Sequence, residues 1–309
     1  MKEEVVYCGI DVAKKQLDVA LGQERWQTPN TREGIARVLK RIKEMRPKVH
    51  VICEASGGYE KAIVTALQGS ALAVSLVPAN RVRQFARAAG ILAKSDIIDA
   101  AVLVRFGAAM QPASTPAQPA HIARLRELDA QRRHLSRLLR AEQNRLAQLS
   151  CAELRALSRS LLSKVKKQIA TVDALIAALI GQDQILCAKA QKLTSITGVG
   201  SRTAALLLAQ MPELGSLNRG QAAALAGLAP FNRDSGTMRG KRCIFGGRRA
   251  LRTGLYMAAV AAARHNHILA PFYQHLRAAG KPPKLALTAV MRKLLIALNS
   301  ALALTLNPA

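Results

Sequence analysis

Asp11, Glu54, Asp96 and Asp99 are the residues of this sequence best placed to do chemistry together. Asp11 closes the apolar run Val5 to Ile10, and Glu54 closes another, His50 to Cys53. Asp96 and Asp99 are spaced i, i+3, which puts both on one face of a helix. Hard divalent cations take oxygen ligands, and two ions ~4 Å apart between converging carboxylates stabilise both the attacking and the leaving oxygen of a phosphodiester. Taken singly, Asp11 and Glu54 read as ordinary strand-terminal acids, and Asp96 as the cap of a helix over 97–108. Taken together the metal-site reading leads, with Mg2+ the expected ion and Mn2+ able to replace it.

A second concentration of polar chemistry lies at 232–249, around Ser235. The serine stands between Asp234 and Gly236 and is ringed by Arg233, Arg239, Lys241, Arg242, Arg248 and Arg249. Arginine forks hold non-bridging phosphate oxygens and stabilise a phosphorane-like transition state, so Ser235 could be a phosphoryl-accepting nucleophile. From the spacing alone the blander reading leads, that of a phosphate-binding loop in which the hydroxyl only donates a hydrogen bond. Upstream, Ile196-Thr197-Gly198-Val199-Gly200 precedes an Ala/Leu-rich helix. It reads either as the hairpin of a helix-hairpin-helix element, with Gly198 and Gly200 letting backbone N–H groups reach a phosphate, or as a plain glycine turn between packing helices.

The charge says what such sites would act on. Lys+Arg 46 against Asp+Glu 19 gives a net +27, which suits a polyanion rather than a small-molecule substrate, and nucleic acid is the natural one. Residues 191–309 carry +14 of that excess, with Glu213 and Asp234 as their two acids, so the last third should be the main phosphate-contacting surface. One Trp, four Tyr and five Phe are too few for base stacking to be the main binding mode. The five cysteines show neither a disulfide framework nor zinc-ligand spacing. No leader pattern and no membrane-spanning apolar run is read, and a bacterial cytoplasmic location, at the nucleoid when active, is expected.

The elements that must position these residues follow from periodicity. Strands over Val5–Ile10, Gln16–Leu21 and Arg25–Thr28, a helix over 31–46, a strand His50–Cys53, a helix Tyr59–Leu67, a strand Ala73–Val77 and a basic helix with Arg81, Arg83 and Arg87 make a mixed α/β pattern. From 118 to 190 the pattern becomes heptad-like, through Leu125, Leu128, Leu135, Leu139, Leu146 and Leu149, then Leu162, Val165, Ile169, Val172, Ile176 and Leu179. That predicts two long helices in an antiparallel or an intermolecular coiled coil, with association of chains through the second seam. The Pro/Ala/Ser/Thr stretch 111–119 is the linker leading in, and a polar loop over 229–249 is followed by helix to the C-terminus.

Gly9-Ile10-Asp11, Cys53-Glu54-Ala55-Ser56-Gly57-Gly58-Tyr59-Glu60, Lys94-Ser95-Asp96-Ile97-Ile98-Asp99-Ala100, Ile196 to Gly200, and Leu225 to Gly236 together resemble the DEDD transposases of the IS110 insertion-sequence family and the related pilin-gene invertases. The resemblance spans essentially the whole chain. It implies an RNase H/RuvC-like α/β domain over 1–111, a linker and coiled-coil connector over 112–190, and a mainly helical transposase domain over 191–309. It further implies Asp11, Glu54, Asp96 and Asp99 as the metal-binding tetrad and Ser235 as a nucleophile that becomes joined to DNA. The implied partners are donor and target double-stranded DNA, a bridge RNA that specifies both, and further copies of the chain. These would form a dimer or, on DNA, a tetramer whose active site is shared between protomers. Two other readings stand beside it: a RuvC-like Holliday-junction resolvase using metal-activated water, and a non-catalytic DNA-architectural protein. Four converging acids weigh against the last.

Overall fold

A computed structural model describes residues 5–45, 48–91, 96–232, 234–236, 238–240 and 242–306, apart from the side chains of 96–98 and 304–306. The chain divides into two compact units, 1–117 and 118–309.

The first unit begins with β1 (Val5–Val12), β2 (Gln16–Leu21) and β3 (Glu24–Pro29), three strands joined by tight turns. α1 (Arg32–Lys43) follows, its first turn capped by the Thr31 hydroxyl, which accepts from Gly34 N at 3.3 Å. Then come β4 (Lys48–Glu54), α2 (Lys61–Gly69), β5 (Ala73–Val77), α3 (Ala79–Ala88) and α4 (Asp96–Met110). The sheet order is β3-β2-β1-β4-β5, with β1, β2 and β3 antiparallel and β1, β4 and β5 parallel. This is the mixed α/β architecture expected of an RNase H-type domain.

Alternation along the strands gives the sheet two apolar faces. Cys8, Ile10, Leu17, Val19 and Val51 pack under Val38 and Ile42 of α1 and Ile63 and Leu67 of α2. Ile52 and Val77 pack on the opposite face with Val82 of α3 and Leu103 and Phe106 of α4. Two glycines let α4 settle directly on β1. A Cβ at Gly9 would overlap the Ala100 carbonyl, and one at Gly107 would meet the Tyr7 ring at 2.5 Å. Cys8 and Cys53 are fully buried, and burial pushes the Cys8 thiol up to about 12, so neither supplies a reactive thiolate.

The second unit is helical: α5 (Ala120–Gln148), α6 (Ala152–Gln182), α7 (Gln184–Thr194), α8 (Ser201–Gln210), α9 (Arg219–Leu225), α10 (Arg249–His265), α11 (Leu269–Ala278) and α12 (Pro283–Leu306). One short ribbon, β6 (Pro230–Phe231) with β7 (Cys243–Ile244), interrupts it. α5 and α6 form an antiparallel hairpin within one chain, tied by Arg132 to Asp173 at 2.6 Å. Leu162, Val165, Val172 and Ile176 are buried there. The seam expected to join chains is therefore largely occupied within the chain. Leu125, Leu135, Val165 and Val172 also share a single core with Leu193, Leu207, Leu255 and Leu295, so the hairpin is built into the C-terminal unit.

Over Pro283–Ala303 α12 has the length and mean composition of a membrane span, although Lys284, Arg292 and Lys293 interrupt its apolar residues. Val290, Leu294, Leu295, Leu298 and Leu302 are buried in the unit's core, which accounts for that composition.

Candidate active site and nucleic-acid interface

The sheet register builds the first centre. Asp11 of β1 lies directly opposite Asp18 of β2, while Ile10 pairs with Cys53 of β4, so the next position along sets Asp11 beside Glu54. Glu54 pairs in turn with Val77. Residues in one such row share a face, here the face that α4 covers through Gly9 and Ala100. Asp99 precedes Ala100 on that helix and is half-buried, as are Asp11 and Glu54. Asp96 opens α4; its side chain lies outside the described residues. Among the described residues no three His, Cys, Asp or Glu side chains form a group able to hold a metal ion.

Asp18 was not singled out in the sequence. It is 2 % exposed, and its carboxylate accepts from Gln16 Nε2 at 3.1 Å and from Gln27 Nε2 at 2.6 Å. A buried carboxylate held by amides rather than a cation, beside a candidate metal ligand, belongs to the electrostatics of the same site. The signal was available in the strand alternation of Gln16–Leu21, which places Asp18 on the tetrad side. Asp18, Arg25, Gln27 and Ala100 line an adjoining cleft of about 270 Å³.

The loop after Glu54 is rigidified by a second acid the sequence reading left unassigned. Burial alone would raise the Glu60 carboxyl. Donation from Ser56 N, Ser56 Oγ and Gly58 N, at 3.1, 2.9 and 2.8 Å, outweighs burial and holds it below the ordinary carboxylate value. Asn30 Nδ2 donates to the carbonyls of Ala13 and Tyr59, tying the turns at that end of the sheet to one another.

The second centre is the exposed loop over 229–249. Pro230 pairs with Ile244 and Phe231 with Cys243. Farther out, Ser235 and Met238 exchange backbone hydrogen bonds of 3.0 Å around a turn in which Gly236 takes φ +54°. Ser235 is exposed at that turn, and the preceding Asp234 accepts from Gly240 N at 3.1 Å. The loop is closed at its foot. Arg248 N donates to Leu225 O at 2.7 Å, and the Arg248 guanidinium grips both Glu213 oxygens, at 2.6 and 3.0 Å.

The basic residues read from the sequence therefore separate. Arg248 is committed to Glu213, a structural role, whereas Arg239, Arg242 and Arg249 are exposed. Arg233 and Lys241 lie outside the described residues. Gly198 takes φ +107° and presses on Ala258 and Ala262 of α10, which is the packing role of a glycine turn. Gly200 is the N-cap of α8 and opens to solvent, with Ser201 and Arg202 exposed beside it.

Two family models match the chain. One described as a transposase, DEDD_Tnp_IS110, covers residues 8–149, and one described as "Transposase IS116/IS110/IS902 family" covers residues 190–274. The pilin gene-inverting proteins of Moraxella bovis and Moraxella lacunata are each 29 % identical over 300 residues, 94 % of this chain and 93 % of theirs. An uncharacterized 43.6 kDa protein of insertion element IS110 from Streptomyces coelicolor is 33 % identical over 136 residues, 43 % of this chain and 33 % of its own. Among solved structures, T. thermophilus RuvC in complex with a Holliday junction substrate aligns at 18 % identity and a TM-score of 0.27, over 36 % of this chain and 99 % of that one.

Proposed function

The chain belongs to the IS110 family of transposases, and on that premise we propose that it cuts and rejoins DNA through a covalent phosphoserine intermediate formed at Ser235. The observation that carries the reading is the setting of Ser235. It is an exposed hydroxyl on a hydrogen-bonded turn whose foot is fixed by Arg248 and Glu213, with free arginine surface around it. Attack of Oγ on a DNA phosphorus forms the serine–phosphate ester as the bond to one deoxyribose oxygen breaks. That oxygen takes up a proton in place of the one the serine loses. Attack by the hydroxyl of another strand end reverses the step and releases the serine, so one phosphodiester replaces another without a high-energy cofactor. Arg239, Arg242 and Arg249 hold the backbone and offset charge on the non-bridging oxygens.

Asp11, Glu54, Asp96 and Asp99 would hold Mg2+ or Mn2+, an all-oxygen donor set suited to hard cations. When bound, the ions supply Lewis-acid polarisation of the phosphate and stabilisation of the departing oxygen. Asp96, at the start of α4, would complete that donor set. Donor and target duplexes are the substrates, and a bridge RNA is the partner that supplies sequence choice. This division suits a chain with large positive charge and few aromatic rings. The protein works as a dimer or tetramer on DNA, in the bacterial cytoplasm and at the nucleoid. The Moraxella relatives are named for gene inversion, which also requires cutting and rejoining.

The test is a denaturant-resistant protein–DNA adduct. Wild-type protein incubated with its copurifying RNA, Mg2+ and DNA from the element's ends should form one mapped to Ser235. Ser235→Ala should form none while binding nucleic acid nearly as well. Strand cleavage without any adduct would move the chain to the resolvase reading, with water as nucleophile.

A further inference from the structure

We propose that Phe231 and Phe245 form a two-ring clamp that takes one unpaired nucleobase of the DNA strand on which Ser235 acts. The inference rests on the DNA-binding role of the C-terminal loop and adds the state of the strand it receives.

Side chains alternate across the β6–β7 ribbon. Pro230 and Ile244 are partners, and Ile244 packs against the core of the helical unit. The opposite face, with Phe231 and Cys243, therefore points away from the core, and Phe245 follows Ile244 immediately past the end of β7. Exposure agrees with the geometry: Phe231 is 49 % and Phe245 71 % exposed, and Cys243 is exposed between them. Phe231 pairs with Cys243, and extending the strand geometry one residue beyond β7 puts Phe245 in the diagonal position, at a spacing of roughly 7–8 Å. That is about twice the ~3.4 Å step between stacked bases, which leaves room for one base between two rings.

The charge around the rings chooses the occupant. Arg239, Arg242 and Arg249 are exposed nearby, and Asp234, the one acid of 229–249, is already bonded to Gly240 N. A face of this kind matches a ligand that is flat and apolar in one part and anionic in the next, which is a base with its phosphate. Among the other described rings Phe106 is 1 % exposed and Trp26 lies under Arg41, while the exposed Tyr59 and Tyr256 each stand singly, without a second ring two residues from the cross-strand partner. Holding a base out of the stack leaves the neighbouring phosphate on a distorted, accessible strand, as attack by a side-chain hydroxyl requires.

Photo-crosslinking of the full chain in a Ser235→Ala background tests this. The probe is a mixed-sequence single strand carrying 5-iodouracil, used alone and annealed to its complement. Crosslinks to the single strand should map to Phe231 and Phe245 and weaken on the paired probe. Phe231→Leu and Phe245→Leu, which keep apolar bulk and should melt like the parent, should each lower single-strand affinity about tenfold. Leucine variants that bind as well as the parent, or crosslinks confined to other residues, overturn the clamp. So does loss of self-association in Phe231→Asp with single-strand binding intact, which would assign the face to another copy of the chain. The covalent step is read separately. An adduct at Ser235 without crosslinks at the rings removes the clamp alone, and ring crosslinks in a chain whose wild type forms no adduct remove the nucleophile alone.

Discussion

Gly227 and Gly247 cross backbone against backbone at the foot of the loop that carries Ser235, so closely that a Cβ on Gly247 would overlap the amide of Gly227. Both take positive φ, +67° in each case, where a side chain is strained even without the clash. Gly247→Ala should therefore cost roughly 1–3 kcal/mol and lower the melting temperature by several degrees. Adduct formation should fall further than the folded fraction does, because the substitution spreads the foot of the loop. Thermal melts and adduct yields on the same samples check this, and equal loss of both would mean the crossing matters for folding alone.

The Glu213–Arg248 pair beside that crossing should leave a pH signature. Burial would raise the Glu213 carboxyl, but the Arg248 hydrogen bonds, with Arg126 nearby, prevail and hold it below 4.5. A carboxylate whose folded pKa is depressed contributes stability that is present above its unfolded pKa and is lost as pH falls through the folded value. Glu213→Gln should thus melt lower than wild type near neutral pH, and the gap should narrow as pH drops below 4.5. The pair is partly exposed, so the effect is modest. A gap that stays constant down to the acid limit would show that the pair's charge contributes nothing.

For the first centre, Asp11→Asn, Glu54→Gln, Asp96→Asn and Asp99→Asn should each reduce strand transfer to background, and excess EDTA should do the same to wild type. Asp18→Asn should be milder, lowering Mn2+ affinity by about 10–100-fold, the range for a group acting behind the ligands. Electron paramagnetic resonance of Mn2+ bound to protein and DNA reads that affinity without relying on turnover. Unchanged affinity in Asp18→Asn would reduce Asp18 to a packing residue.

Much of this was legible in the sequence where local pattern and global fold agree. The strands that carry Asp11 and Glu54, the helix opened by Asp96 and the loop around Ser235 all follow from period and punctuation. What was missed depends on register and tertiary packing. Asp18 matters because β2 sets it opposite Asp11. Arg248 looked like a phosphate ligand until Glu213, thirty-five residues earlier, was found holding it. The sequence leaves Gly198 open between a phosphate-approaching hairpin and a packing turn, and its neighbours Ala258 and Ala262, on a helix far along the chain, favour the packing turn. A heptad pattern likewise specifies a seam without saying which helix fills it.

That last point changes the expected oligomer interface. Ile176 is buried within the α5–α6 hairpin, whereas Leu154, Leu157 and Leu161, at i, i+3 and i+7 of α6, stay exposed, Leu157 at 68 %. Ile176→Asp should damage the fold of one chain, while Leu157→Asp should leave the melt unchanged and lower the assembled mass. Light scattering with and without DNA distinguishes them. Leu157→Asp at the parent mass would remove this stripe as the contact.

The tetrad positions and Ser235 lie in different compact units of the chain. For the serine to attack a phosphate polarised by the metals, all must come within the ~3–3.5 Å of a near-attack geometry. We propose that on nucleic acid the tetrad of one protomer meets Ser235 of another, which keeps an isolated chain inert and prevents unpaired cuts. Complementation reads this directly. Ser235→Ala protein retains the acids and Asp11→Ala protein retains the nucleophile, so a mixture should regain part of the wild-type adduct, all of it on the Asp11→Ala chain. A mass tag on one protein identifies which chain carries the DNA. Two proteins that co-assemble on DNA yet form no adduct together would establish a site completed within a single chain.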